Sequence, residues 1–269
     1  MSYQTLEVFA DGPVAQVWIN RPDLRNAFNE TVIAELTRAF TELGANDEVR
    51  AIVLGGRGKV FCAGADLNWM KAMAGYTREQ NRADAMGLAT MLKVMQDCPK
   101  PTIARIHGPC FAGGMGLAAV CDFAFAALSA EFCLSEVKLG LIPATIGPYV
   151  VQAMGARAAQ RYFLSAEKFT ASEAYRIGFI HEICPDEELD DTIDALLGLL
   201  VDNSPNAVRA AKRLVHDLTD APLTDALIAD TAERIADIRA SDEGREGVKS
   251  FLEKRKPSWI IPEPTPDES

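Results

Sequence analysis

The sequence predicts an α/β layer fold that gives way to a run of helices. Short apolar, β-branched runs alternate with helix-period segments as far as about residue 185. Beyond that point amphipathic helical segments follow one another. The chain has 269 residues, 48% of them hydrophobic, enough for one large domain or a core with a small appendage. The expected division is a core carrying the site over 1–195, a helical region over 196–258 and a loose tail over 259–269.

Taken in order, "QTLEVFA" and "VAQVWIN" flank the turn "DGP" and read as a hairpin. A helix follows. Asn29 can cap it, Ile33, Leu36, Phe40 and Leu43 give it an apolar face, and Gly44 can end it. "RAIVLGG" is a buried strand by length and branching, and "TIARIHG" and "DFAFAAL" are two more. Between these two, "GGMGLAAV" is a short helix opened by glycines. Thr170 with Glu173 makes a capping box for a helix ending near Gly178. "HEICPDEELDDTIDALLGLL" leads into another helix. Ser204 caps the next, with Pro205 at its first position. "DALIADTAERIADI" and "EGREGVKSFLEKRK" continue the run, and "PSWIIPEPTPDES" is proline-rich and acidic. The apolar faces of these last helices read either as a lid over the chain's own core or as a subunit interface.

The charge balance, 27 basic against 38 acidic residues, is −11 and disfavours nucleic acid as a partner. No apolar run is long enough for a membrane span, and no leader pattern opens the chain, so a cytoplasmic protein is expected. Cys62, Cys98, Cys110, Cys121, Cys133 and Cys184 show no Cys-x-x-Cys spacing. They read as small core residues in a reducing compartment. His107, His181 and His216 are isolated, and no metal site is expected.

The stretch "GPCFAGGMGLAAVCD" (108–122) admits three readings. Gly114, Gly116 and Ala119 fit the loose dinucleotide pattern Gly-x-Gly-x-x-Ala, with Glu131 or Glu136 as the distant acid, but the third position is Ala and the helix is short. The glycines can simply permit close packing. Or the N–H groups of a glycine-rich turn opening a helix can converge on an anionic oxygen. A second glycine-bearing loop, "VFCAGADLNWM" (60–70), follows the strand "RAIVLGG" and could supply a second donor. No Gly-x-Ser-x-Gly elbow points to a hydrolase.

"KVFCAGADL", "GPCFAGGMGLAAVCD" and "LSEVKLGLIP" resemble the three signature segments of the crotonase (enoyl-CoA hydratase/isomerase) superfamily, in order and spacing. "INRPDLRNAF" and "SFLEKRK" fit as well, so the resemblance runs from about residue 5 to 258. It implies a ββα superhelix with a C-terminal helical trimerisation region, assembled as a homotrimer or a dimer of trimers. It implies an acyl-CoA substrate, with coenzyme A as part of that substrate and no permanently bound cofactor.

Residue by residue, the resemblance implies that the backbone N–H groups of Ala65 and Gly113 hold the thioester oxygen, and that Glu136 is an acid/base carboxylate. It places Arg25, Lys59, Ala63, Asp66 and Leu67 on coenzyme-A-binding loops, and Phe251 and Lys254 on a C-terminal helix reaching a neighbouring subunit's coenzyme A. Trp69, Met70, Met73 and Tyr76 would line the acyl pocket, on a helix or flap over 68–80. Lys71, Arg78 and Lys138 are cations that could meet a second substrate carboxylate. Two departures stand out. Gly116 occupies the position of the second glutamate of two-glutamate hydratases, and "IPATIGPYV" replaces a "PGAGGTQRL"-like turn. The latter resembles a bacterial branch associated with 3-methylglutaconyl-CoA or isohexenylglutaconyl-CoA hydration. A one-glutamate hydratase is therefore expected, with a single-base isomerase, a non-catalytic coenzyme-A-ester binder and a nucleotide-dependent dehydrogenase as alternatives.

Overall fold

The computed structural model describes residues 2–260, so the expected tail lies outside the described residues beyond Ile260. The strands are β1 (Leu6–Asp11), β2 (Val14–Ile19), β3 (Ala51–Gly56), β4 (Thr102–Ile106), β5 (Cys110–Phe111), β6 (Phe123–Ala127), β7 (Glu131–Cys133), β8 (Phe169–Thr170) and β9 (Glu182–Cys184). The helices are α1 (Glu30–Ala45), α2 (Leu67–Met73), α3 (Arg78–Gln96), α4 (Gly113–Ala119), α5 (Gly147–Ser165), α6 (Ala171–Arg176), α7 (Leu189–Asp202), α8 (Pro205–Leu218), α9 (Asp225–Ala240) and α10 (Asp242–Leu252).

The chain divides into two compact units, 1–195 and 196–269, with the boundary inside α7. The first is built on a six-stranded sheet of order β1-β2-β3-β4-β6-β9. The expected hairpin opens it, antiparallel from Leu6↔Ile19 to Asp11↔Val14. Every later pairing in this sheet is parallel. Parallel neighbours need a crossover, and helices supply it. α1 returns the chain from β2 to β3; α2 and α3 return it from β3 to β4. α1 packs on α3, burying Leu36, Phe40, Met91, Leu92 and Met95. β3 is buried at all six positions, as a central parallel strand must be. Each such fully buried aliphatic or aromatic side chain is worth about 1.5–3 kcal/mol. A second, three-stranded sheet has the order β5-β7-β8.

Several expectations are corrected. Gly44 does not end α1. The helix runs on to Ala45, and a Cβ at Gly44 would sit 3.1 Å from Pro99 Cδ, so close approach rather than termination is its local constraint. The segment 68–80 is not one helix but the end of α2 and the start of α3, separated at Ala74–Thr77, where Thr77 and Gln80 form a capping box. A short strand the sequence does not announce, β5, lies between β4 and the glycine-rich turn ahead of α4. Other expectations hold: Asn29 caps α1, Thr170 caps α6, and Gly178, at φ +78°, follows the end of α6.

In the second unit, Ser204 caps α8. Glu243 accepts hydrogen bonds from Ser204 Oγ and from Asn206 N (3.0 Å) and Nδ2 (2.6 Å), tying α8 to α10. Trp259 Nε1 donates to the Asp202 carbonyl at 3.1 Å. Val215, Leu223, Val248, Phe251 and Leu252 are nevertheless exposed. Among the described residues no helix is long and apolar enough to cross a membrane.

Candidate active site

Two loops of the first unit converge. After β3, the Phe28 N–H donates to the Gly64 carbonyl (2.8 Å) and the Asp66 N–H donates to the Phe28 carbonyl (3.0 Å). Ala65 lies between these bonds, and its own N–H meets no acceptor among the described residues. The turn needs Gly64 at φ +93°, a conformation that side chains disfavour. The second loop is clipped to the first: Phe111 N–H donates to the Cys62 carbonyl (2.9 Å) and Cys62 N–H to the Pro109 carbonyl (3.3 Å). The chain then enters α4, whose first residue, Gly113, has the unpaired N–H of any helix start. A Cβ placed on Gly64 would lie 3.0 Å from Ala112 Cβ and 3.5 Å from Gly113 N. The two free N–H groups are thus neighbours.

The glycines here are packing requirements as well. A Cβ on Gly113 would fall 2.2 Å from Phe28 Cζ, and one on Gly114 2.6 Å from the Cys62 carbonyl oxygen. Ala112, the residue before α4, has φ +48° and ψ −120°. That conformation suits glycine, and holding alanine in it costs about 1–3 kcal/mol. The hydrogen bond from Ala112 N–H to the Cys133 carbonyl (2.8 Å) helps hold it in place.

The same bond brings the carboxylate in. β7 pairs with β5 through Cys110↔Phe132 and Phe111↔Cys133. Three residues past Cys133, Glu136 begins a 3₁₀ turn closed by Gly140 at φ +72°. Glu136 Oε2 is buried and has no hydrogen-bond partner. Burial raises the pKa of this carboxyl above the ordinary glutamate range, and its own backbone N–H only partly offsets that. An acid so placed can both take and return a proton.

The surroundings hold this geometry. Arg21 pairs with Asp66 (Nη2–Oδ2 2.8 Å), and Asp66 also caps α2 through Asn68 N at 2.7 Å. Burial alone would raise the Asp66 carboxyl, but the Asn68 N–H and the Arg21 guanidinium outweigh it and hold the carboxyl low. The carboxylate of Asp66 is therefore engaged within the chain. Trp69 Nε1 donates to Asp84 Oδ1 (3.0 Å), and its ring lies 6.0 Å from Phe28, the ring beneath Gly113. Cys62 is buried, which pushes its thiol up to about 12, so it is a packing residue rather than a nucleophile.

Of the other residues named from the sequence, Arg25 and Ala63 are brought together: the Ala63 N–H donates to the Arg25 carbonyl at 3.0 Å. Arg25 and Lys59 are exposed, as is Leu67 at the start of α2. Met73 packs against the core, Met70 and Tyr76 are half-buried, and Lys71, Arg78 and Lys138 are exposed. Phe251 and Lys254 belong to the second unit, where Lys254 N–H donates to the Phe251 carbonyl (3.2 Å) just past α10. Sequence reasoning missed Phe28, Ala112 and Ile146. None carries a polar atom in its side chain, so only their packing reveals them.

Two N–H groups from adjoining loops without an acceptor among the described residues, one at a helix start, and a carboxyl with a buried, unpartnered oxygen on the 3₁₀ turn after β7 are the parts from which an enzyme that stabilises an oxyanion while moving a proton can be built. The comparisons with known proteins agree. The family model for enoyl-CoA hydratase/isomerase matches residues 10–261. An enoyl-CoA hydratase structure from Shewanella pealeana superposes with a TM-score of 0.92 at 43% identity, covering 95% of this chain and 96% of the other. Enoyl-CoA hydratase AFT6-1 of Alternaria alternata is 32% identical over 90% of this chain and 83% of its own length. Crotonyl-CoA hydratase of Syntrophomonas wolfei is 29% identical over 97% and 99%. The chain belongs to the enoyl-CoA hydratase/isomerase family and has the crotonase fold.

Proposed function

We propose that this protein adds water across the 2,3-double bond of an enoyl-CoA ester, with Glu136 as its one acid/base carboxylate. The observation that carries the reading is the buried, unpartnered Oε2 of Glu136 on the 3₁₀ turn that follows β7, the strand paired with β5 just ahead of Gly113. The ionised carboxylate takes a proton from water as the water oxygen bonds to C3. The electrons of the double bond move to the thioester oxygen, where the N–H groups of Ala65 and Gly113 receive the charge. Glu136 then returns the proton to C2, and water has been added with all atoms accounted for. One such oxyanion donor is typically worth about 3 kcal/mol in the barrier.

Arg25, Lys59, Ala63, Asp66 and Leu67 are proposed to contact the coenzyme A portion, the last three through the loop that carries Ala65. Phe251 and Lys254 are proposed to serve a neighbouring subunit's site in a trimer or a dimer of trimers. A branched glutaconyl-CoA ester is the proposed acyl class, and a cytoplasmic setting goes with it.

One observation favours a second reading. Gly116 offers no second carboxylate, and a lone base can shuttle a proton between two carbons on one face, as an enoyl-CoA isomerase requires. A panel of 2-enoyl-, 3-enoyl- and branched glutaconyl-CoA esters distinguishes them. Hydration bleaches the conjugated thioester absorbance of a 2-enoyl ester, whereas isomerisation of a 3-enoyl ester creates it. Turnover of 3-enoyl esters alone would overturn the hydratase reading.

A further inference from the structure

The two departures from the family pattern, Gly116 and the "IPATIGPYV" turn, are one feature in three dimensions. Gly116 is buried in α4, three residues after Gly113. Residues three apart share a helix face, and a side chain on a helix leans toward its N-terminus. A side chain at 116 would therefore lean toward the oxyanion-binding end of α4. That space is filled. A Cβ at 116 would lie 2.3 Å from Ile146 Cγ2 and 2.9 Å from Ile146 Cβ, with Leu92 Cδ2 at 3.7 Å behind. Ile146 is 2% exposed and sits at the start of α5. Its carbonyl accepts the Val150 N–H at 3.0 Å, and its side chain is branched at Cβ, so it has few ways to withdraw. An overlap of this depth with a branched, fully packed side chain cannot be relieved by a shift of a few tenths of an ångström.

We infer that Ile146 is a mechanism-determining residue: it plugs the position from which a second carboxylate would act, and so confines proton transfer to Glu136. The inference rests on the reading of Glu136 as the acid/base group. The second carboxylate is then excluded by an alkyl wall, and replacing Gly116 alone cannot restore it.

The test compares the pH dependence of kcat/KM for the wild type, Ile146→Gly, Gly116→Glu and the double variant, using a 2-enoyl-CoA ester. The wild type and Ile146→Gly are expected to show one carboxyl ionisation, and the double variant a second. Gly116→Glu alone is expected to lose folded protein or to keep the wild-type profile with at least tenfold lower activity. A second ionisation in Gly116→Glu alone would show that Ile146 is no plug. A single ionisation in the folded, active double variant would show that the position does not face the reacting carbons. Either overturns the inference. Should the double variant not fold, Gly116→Ala with and without Ile146→Ala replaces it. The pair must then melt above Gly116→Ala alone and recover kcat without a matching change in KM, and failure to do either overturns the inference. A wild-type profile with no carboxyl ionisation, or an active Glu136→Gln, would instead remove the reading on which the inference rests.

Discussion

Glu136, the proposed acid/base residue, sets local chemistry against stability. Its carboxyl is buried with one oxygen unpaired, and burial raises its pKa. A raised folded-state value means that the folded protein holds this proton more tightly than the unfolded chain does. The associated stability is fully present below the ordinary glutamate value and is lost as pH rises through the folded one. Glu136→Gln removes an ionisable group that must otherwise charge in a buried place. Thermal melts should show this variant gaining over the wild type at neutral pH, with the gain shrinking as pH falls through the raised folded value and gone once it reaches the ordinary glutamate value. With ionised Glu136 as the proposed base, kcat/KM should rise with pH through a midpoint above the ordinary glutamate range. Ala112 is a second such residue. At φ +48° it strains the entrance to α4, so Ala112→Gly should raise stability by about 1 kcal/mol, measured by denaturant unfolding.

At the scale of elements, α2 is a short helix whose place just after the Ala65 loop depends on three contacts. Asp66 caps its start and pairs with Arg21, and Trp69 reaches across to Asp84 on α3. Asp84→Ala should free the indole and raise KM for the acyl-CoA ester about 3- to 10-fold, the worth of one hydrogen bond, with kcat less affected. Asp84→Asn, which keeps an acceptor oxygen, should restore KM. Equal losses from both variants would contradict a latch. These elements also show where sequence legibility ends. The longer parallel strands were readable because apolar residues dominate them, and α1 because Asn29 and its apolar stripe mark it. The two-residue strands β5 and β8 have no period to detect, yet β5 decides how α4 is aimed. The break between α2 and α3 was hidden because "NWMKAMAGYTREQ" has helical composition across it, and only the Thr77–Gln80 capping box marks the new start.

At the scale of the whole molecule, the class of chemistry was legible from three glycine- and glutamate-bearing segments far apart in sequence. The Ile146 plug was not, because it needs Gly116 and the start of α5 in contact. The exposed apolar residues of the second unit, Val248 and Leu252 on one face of α10 among them, fit burial against other copies of the chain. Sedimentation equilibrium should then give a mass that is a multiple of three chains of 29.2 kDa, and Val248→Asp with Leu252→Asp should lower it. A stable monomer at micromolar concentration would contradict the proposed assembly. The central claim concerns Glu136, and turnover of a 2-enoyl-CoA ester by Glu136→Gln tests it most directly. The account predicts a fall in kcat of about 10²–10⁴-fold, the usual worth of a general acid/base, with KM nearly unchanged and the fold intact. A folded Glu136→Gln enzyme within tenfold of wild-type kcat would contradict it.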